Sequence, residues 1–398
     1  MGAGRLRILR QLLTESILLA LAGGSVSLIV ASWTLYAMVH SLTNVGGMMD
    51  LSARLDPLML AYTLGVALFT AVLFGFFPAL RVVRINPQTS LRSQGTGLGV
   101  GTSNVRLRKW LMVFQVSMTV LLLAGAGLFT QSLINISRAS LGLQKDHVIQ
   151  FTIAPELSRY TPEQTTVFID RLRSNLAALP GVRSVSAAEL PVFSDSEASG
   201  GLTAEGYIAP ENDETFVERN WISPGYFTTM RTALVSGRDF TDADRLASPK
   251  VAVINETLVR HYFSGRNPVG SHIGLSSGPL AKLDIEVVGV VQDSKHNNAR
   301  DPVIPFVYIP YAQDKTFGHA TFYVRTVQDP EAISPTLRRS VSSLDANLPL
   351  YDMKTLARQV DESMFVERLM ALLSGCLGSL AALLAAIGLY GVMVYMVA

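Results

Sequence analysis

The stretch RVVRINPQTSLRSQGTGLGVGTSNVRLRK, Arg81 to Lys109, decides how the rest of the chain is read. It carries Arg81, Arg84, Arg92, Arg106, Arg108 and Lys109, has no Asp or Glu, and has an uncharged apolar run against each end. Lys and Arg held beside membrane-length helices mark the cytoplasmic side of a bilayer. Gly95, Gly97, Gly99 and Gly101 make its middle a flexible loop. A glycine-rich run beside basic residues can cradle phosphate, but no Gly-Lys-Ser/Thr ending follows, so the stretch reads as a plain linker.

Outward from the linker, Pro57–Leu80 and Trp110–Ser137 are free of charge, as are Ser16–Val39 near the start and Leu369–Ala398 at the end. Each has the roughly 20 residues that a hydrocarbon core of about 30 Å requires. Trp110–Ser137 is longer than the bilayer core needs, so that helix tilts or projects outward. Met1–Glu15 is basic, with Arg5, Arg7 and Arg10, and places Leu6, Leu9, Leu12 and Leu13 at helical spacing. His40–Asp56 has a single Arg and reads as an outer loop. Four spans follow, with Met1–Glu15 and the linker inside and everything between the third and fourth spans outside.

Composition agrees with this division. The chain has 398 residues, 49% of them hydrophobic, and a net charge of +2. Before Asp146 the only acidic residues are Glu15, Asp50 and Asp56; beyond it both signs are plentiful up to Arg368. That is a membrane part followed by a soluble body, Arg138–Arg368. The single Cys376 excludes an intrachain disulfide and a Cys-rich metal site, so the body needs an ordinary apolar core.

Within the body, His147–Ala154 and Val182–Glu189 read as strands. Between them lies a helix capped by Thr161, with Pro162 at its first position, that stops at Pro180-Gly181; the three form a β-α-β unit. Asp195–Glu214 reads as a loop. Strands are predicted at Lys250–Ile254, Ile285–Val291, Phe306–Ile309 and Thr321–Thr326. Helices are predicted at Asn255–Phe263, Pro330–Leu344 and from Lys354 onward, the last running unbroken into the fourth span. The fold class is therefore an α-helical membrane bundle plus an α+β extracytoplasmic domain on a stalk of two helices.

Signals of chemistry are few. The chain has no Gly-x-Ser-x-Gly and no His-Glu-x-x-His, and its six histidines show no ligand spacing. Asp239, Asp242 and Asp244 miss the calcium-loop pattern and read as a solvated turn. Asp293 and His296 lack an adjacent nucleophile and read as a surface turn. No span carries Asp, Glu, Lys or Arg, which argues against an ion-coupled carrier. Small residues (Gly23 with Ser27, Gly125 with Gly127, Ser374 with Gly378, Gly388 with Gly391) permit helix contact in lipid.

Several segments, in order, carry a resemblance. Gly2-Ala-Gly-Arg5 through Arg10-Gln-Leu-Leu-Thr-Glu-Ser16, and Pro78-Ala-Leu-Arg-Val-Val-Arg84 with Pro87 and Leu91-Arg92, resemble the coupling segment and the closing segment of the FtsX-like permease module. Ser223-Pro-Gly-Tyr-Phe-Thr-Thr-Met230, Gly237-Arg-Asp-Phe240, Val251-Ala-Val-Ile-Asn-Glu256, Asn267-Pro-Val-Gly270 and Val287-Val-Gly-Val-Val-Gln-Asp293 resemble the MacB-like periplasmic core domain. Gly388-Leu-Tyr-Gly-Val392 is similar to the span that returns to the coupling segment. The arrangement resembles the duplicated MacB-like permeases of Acidobacteria, cut at both ends. Arg231-Thr-Ala233 departs from the pattern, which has an apolar Gly-Ile-Pro-like turn there.

The resemblance implies residues 1–92 as the back of one FtsX-like module, 93–109 as cytoplasmic linker, 110–137 as a span, 138–368 as the periplasmic core domain and 369–398 as the first span of a second module. It implies a non-enzymatic permease subunit in the inner membrane, without cofactor or metal, that converts ATP hydrolysis by a separate ABC ATPase subunit into movement of the outer domain. Arg5, Arg7 and Arg10 are then the candidate ATPase-facing surface. Expected partners are that ATPase, a second permease copy or module, a periplasmic adaptor and the lipid bilayer, with no nucleic acid. The competing expectations are an FtsX-like regulator of a cell-wall hydrolase, a membrane sensor and a tethered enzyme.

Overall fold

The computed structural model describes residues 5–45, 57–58, 61–69, 72, 102–138, 140–194, 196–208, 216–276 and 281–397. The chain divides into two units, Met1–Val113 and Phe114–Ala398. In the first, α1 spans Arg5–Val45, and residues 57–58, 61–69 and 72 of the second predicted span are helical. Of the predicted outer loop His40–Asp56, residues 40–45 instead continue α1, while residues 46–56 and linker residues 81–101 lie outside the described residues. Among those described, three helices contain stretches long and apolar enough to cross a membrane: Thr14–Thr34, Met112–Ile136 and Phe365–Tyr390.

The helix α2 runs Thr102–Arg138, so it begins inside the stretch read as linker. The glycine run ends at Gly101, and Val105-Arg-Leu-Arg-Lys109 contains no breaker. Once the span is nucleated, extending a helix through such residues costs little.

The rest of the second unit is built on a sheet. In chain order its elements are β1 (Val148–Ile153), α3 (Pro162–Ala177), β2 (Val182–Ala188), β3 (Ser199–Gly201), β4 (Thr203–Ala204), β5 (Phe216–Ile222), α4 (Tyr226–Met230) and β6 (Leu234–Gly237). There follow β7 (Lys250–Asn255), α5 (Glu256–Tyr262), β8 (His272–Gly274), β9 (Ile285–Val291), β10 (Phe306–Pro310), β11 (Ala320–Thr326), α6 (Ser334–Leu344), β12 (Leu350–Thr355), α7 (Leu356–Ser363) and α8 (Phe365–Val397).

Among the described residues twelve strands form one mixed sheet. Its path is β12-β1-β11-β2-β5-β10-β7-β9-β8-β4, with β3 on β5 and β6 on β9. The predicted β-α-β unit is present in split form: β1 and β2 both pair antiparallel with β11, which lies between them. The helix α3 starts where the sequence places it. Thr161 accepts from Gln164 N, Gln164 returns a bond to the Thr161 N–H, and Pro162 occupies the first position.

β2 touches β5 through the single pair Ala188↔Ile222, so the sheet has two halves joined narrowly. One core, with Phe151, Leu172, Phe322 and Leu337, lies between the first half and α3 and α6. A second, with Ile254, Leu258, Tyr262 and Val287, lies under α5 on the other half. A third spans both halves through Val148, Ile222, Tyr226, Val253, Tyr308 and Tyr323, and takes in Leu356, Val360 and Met364. With both faces covered, β11 (Ala-Thr-Phe-Tyr-Val-Arg-Thr) is buried at all seven positions instead of alternating.

Two predicted segments differ. Part of Asp195–Glu214 forms β3 and β4; Asp195 and residues 209–215 lie outside the described residues. Lys354 belongs to a strand, not a helix: β12 pairs with β1, and only at Thr355 does the chain turn helical, its side chain capping Arg358 N. Nor is the following helix continuous with the span, since it ends at Met364 and α8 begins at Phe365. The pull on this segment is tertiary: Leu356, Val360 and Met364 are buried in the core that bridges the sheet.

Candidate functional site

The connections of α2 and α8 to the sheet domain are where movement of the helices would reach the domain. At the entry, Ile136, Leu141 and Leu143 pack on the bridging core. Lys295 N donates to Leu141 O at 2.9 Å, and Gln144 N donates to Met230 O at 2.8 Å. Gly142 has φ +69°, and a Cβ there would overlap the Asp293 carbonyl oxygen. Both the left-handed backbone and the close approach require glycine.

Arg325 locks this segment. It lies on β11, is 3% exposed, and donates Nε to Thr229 O at 2.7 Å, Nη1 to Asp146 O at 2.7 Å and Nη2 to Gln144 O at 2.6 Å. Burial, with the Arg231 charge acting the same way, pulls its pKa down to about 10. A planar guanidinium presents its donors in a fixed fork, so carbonyls on two separate segments are held at set spacing.

Beside it, Arg231 ends α4 with φ +55° and donates to Gln144 Oε1. The expected glycine at this position now has a physical reason. The turn is left-handed, which disfavours any residue with a Cβ, and here Arg231 gains a side-chain contact in compensation.

The exit is built differently. Leu356, Val360 and Met364 of the α7 face are buried, and Gln359 Nε2 donates to Phe193 O at 2.6 Å. Met364, with φ −98° and ψ 11°, breaks the helix. Across the break Arg368 N reaches Met364 O at 3.1 Å, and Arg368 Nη2 pairs with Asp361 at 2.8 Å, both side chains 49% exposed.

The apolar parts of α2 and α8 lie against each other. Thr119 Oγ1 donates to Ala381 O at 3.3 Å; a Cβ on Gly378 would meet Leu123 at 3.3 Å, and one on Gly388 would meet Gln115 at 3.0 Å. Of the small-residue pairs read from sequence, Gly378 and Gly388 serve this contact. Gly23, Gly125 and Gly127 face nothing within 4 Å.

Arg5, Arg7 and Arg10 stand in the first turns of α1. Arg10 is exposed; the side chains of Arg5 and Arg7 lie outside the described residues. In the acidic turn, Asp244 accepts both arms of Arg238 (2.8 and 3.0 Å) as well as Thr241 N, and Asp242 pairs with Arg173.

The surface-turn reading of His296 needs correction. It is buried, stacked on Phe306 at 4.1 Å and bonded through Nε2 to Tyr308 Oη at 2.6 Å; burial drives its pKa down to about 3. Asp293 does not face it, but accepts from Thr257 N at the start of α5 and pairs with Arg260 at 2.7 Å. Sequence reasoning missed Arg325. Its one signal was a lone charge in a strand otherwise fit for burial.

Comparison with known proteins agrees with the fold read from the chain. Residues 112–340 match the MacB-like periplasmic core domain family, and residues 1–87 match the FtsX-like permease C-terminal family. Among curated proteins, the uncharacterized ABC transporter permease YknZ of Bacillus subtilis (strain 168) is 23% identical over 218 residues, 54% of this chain and 51% of that protein. The pyoverdine export ATP-binding/permease protein PvdT of Pseudomonas fluorescens (strain Pf-5) is 38% identical over 96 residues, 23% of this chain and 13% of that protein. The matched region thus spans about half the length of the first relative and far less of the second. Among solved structures, the periplasmic region of MacB from Actinobacillus actinomycetemcomitans is matched over 57% of this chain and 98% of that one, at 17% identity and a TM-score of 0.37.

Proposed function

Because the chain belongs to the MacB-like periplasmic core domain family, we propose that it is a permease subunit of a MacB/FtsX-type ABC transporter, which turns ATP hydrolysis by a separate subunit into movement of its outer domain. In this reading the protein sits in the inner membrane with residues 138–368 on the periplasmic side. The ATPase acts from the cytoplasm, where Arg5, Arg7 and Arg10 face it. A second permease copy or module completes the assembly. The supporting observation is the entry of α2. A buried guanidinium ties Gln144 and Asp146, which follow the helix, to Thr229 and β11. A displacement of α2 is therefore carried into the sheet instead of being absorbed in a loop. ATP binding biases a two-state element only through such differential contacts.

The test uses the assembled complex of full chain and ATPase in nanodiscs. Cys376→Ser removes the single native thiol. Spin labels then go on the exposed positions Ser132 of α2 and Val366 of α8. Their distance distribution is expected to change between the nucleotide-free and ATP-trapped states. A distribution unchanged through turnover would sink the movement while leaving the fold untouched.

A further inference from the structure

A cleft in the sheet domain gathers hydrogen-bond acceptors without a matching cation. It has a volume of about 230 Å³, lies between the start of β5 and the segment leading to β10, and is lined in part by Glu197, Glu218, His296, Asn297, Asp301 and Phe306. Glu218 is only 9% exposed. Its Oε1 accepts from Asn297 Nδ2 at 2.5 Å, and that same nitrogen also reaches Glu197 Oε1 at 3.0 Å. An amide is a neutral donor, and the charged groups acting on Glu218, Glu197 and Asp301, are both negative. Lys295, the one cation among the lining residues, has its ammonium on the Ala299 carbonyl at 2.5 Å. Burial, only partly offset by the Asn297 hydrogen bond and reinforced by the like charges, raises the Glu218 pKa to about 7. A carboxylate this deeply placed ordinarily has a charged partner.

His296 adds an independent demand. Its Nε2 meets Tyr308 Oη at 2.6 Å and Ser294 Oγ at 3.1 Å, and the ring is neutral. Nδ1 is buried without a partner. A proton on Nε2 gives those contacts a donor and leaves Nδ1 as a lone pair; the other tautomer would bury a bare N–H. The wall therefore offers the carboxylates of Glu197, Glu218 and Asp301, beside a buried imidazole nitrogen that has no partner. Among the described residues no three His, Asp or Glu are grouped closely enough for a metal ion. A polyatomic cation with diverging N–H groups suits acceptors spread in this way. The Phe306 ring supplies an apolar wall for its alkyl stem.

We propose that this cleft binds an alkylguanidinium or alkylammonium group, presented by an Arg or Lys side chain of a partner protein or by a free small amine. The inference does not depend on ATP-driven movement, and its test needs no ATPase. The full chain in detergent is titrated calorimetrically at pH 7 with two probes: agmatine, and a blocked Ala-Ala-Arg-Ala-Ala peptide. At least one is expected to bind saturably. Glu218→Gln, which keeps the Asn297 contact, is expected to weaken binding about thirtyfold or more. Glu197→Gln at the exposed rim weakens it by less and serves if Glu218→Gln does not fold; Glu163→Gln on α3 leaves it unchanged.

A carboxyl whose pKa is raised to about 7 is partly protonated at pH 7 and loses that proton when a cation arrives. Buffers of different ionisation enthalpy should therefore report net proton release on binding at pH 7, and less of it in Glu218→Gln. Agmatine bound more tightly assigns the free amine; the peptide bound more tightly assigns a partner side chain. Absence of saturable binding, or binding unaffected by both Glu218→Gln and Glu197→Gln, overturns the proposal.

Discussion

The helices α2 and α8 join the same sheet domain, yet by opposite constructions. At the entry a buried guanidinium spends its donors on three backbone carbonyls, and a glycine lies flat against the Asp293 carbonyl. At the exit a helix breaks at one residue, and a half-exposed ion pair spans the break. Backbone contacts made by buried groups transmit displacement, because giving way would leave polar groups unpaired. A solvated ion pair gives way at almost no cost. Under the proposed function the domain follows α2 and pivots beside Met364.

The largest expected effect tests the rigid side. Arg325→Met keeps the stem of the side chain, removes its donors and strands the carbonyls of Thr229, Asp146 and Gln144. The expected loss of stability is roughly 3–5 kcal/mol, read from denaturant unfolding of the full chain with Trp33→Phe and Trp110→Phe, which leaves Trp221 as its fluorophore. Hydrogen exchange should rise over residues 140–147 and stay unchanged over 361–368. An equal rise at both would erase the contrast.

Gly142→Ala attacks the same junction without touching a charge. The left-handed backbone and the overlap with Asp293 O act together, and the expected cost is roughly 2–3 kcal/mol. Its exchange pattern should match that of Arg325→Met, and a full-strength entry in this variant would mean the guanidinium alone holds it.

How much of this could be read beforehand follows the physics of each element. The apolar runs were legible because a bilayer imposes length and excludes charge, and both are visible residue by residue in Ser16–Val39 or Leu369–Ala398. The helix α3 was legible because Thr161, Pro162 and Pro180-Gly181 punctuate it locally. β12 was not. Lys354 and its neighbours are helix-compatible, and pairing with β1, some 200 residues earlier, decides their state. The break at Met364 was hidden for the same reason, since burial against the bridging core sets it and no Gly or Pro marks it. His296 was misplaced because a polar residue near Asp293 reads as surface, whereas the stack on Phe306 is made by chain folding. Arg325 has no spacing signature at all; its partners are carbonyls, which every residue carries.

Arg231→Gly sharpens the entry in the opposite direction. Relief of the left-handed strain is worth about 1 kcal/mol, and the lost contact with Gln144 returns about half of it. The net expectation is a gain of about 0.5 kcal/mol in unfolding free energy. A loss instead would mean that the Arg231 side chain is a second bolt beside Arg325, and the entry would then depend on two guanidinium groups.

The smallest expected effect belongs to the exit and bears hardest on the comparison. Asp361 and Arg368 are seven residues apart on either side of the break, and each side chain is 49% exposed. Their attraction is screened by water and salt, and holding two long side chains together costs entropy. Asp361→Asn should therefore change stability by less than about 0.5 kcal/mol, with little dependence on salt between low and physiological ionic strength. If the variant lost more than about 1 kcal/mol, the ion pair would be bracing the break at Met364. The exit would then be a second rigid joint, and a domain held firmly at both joints could only translate with its helices, not pivot.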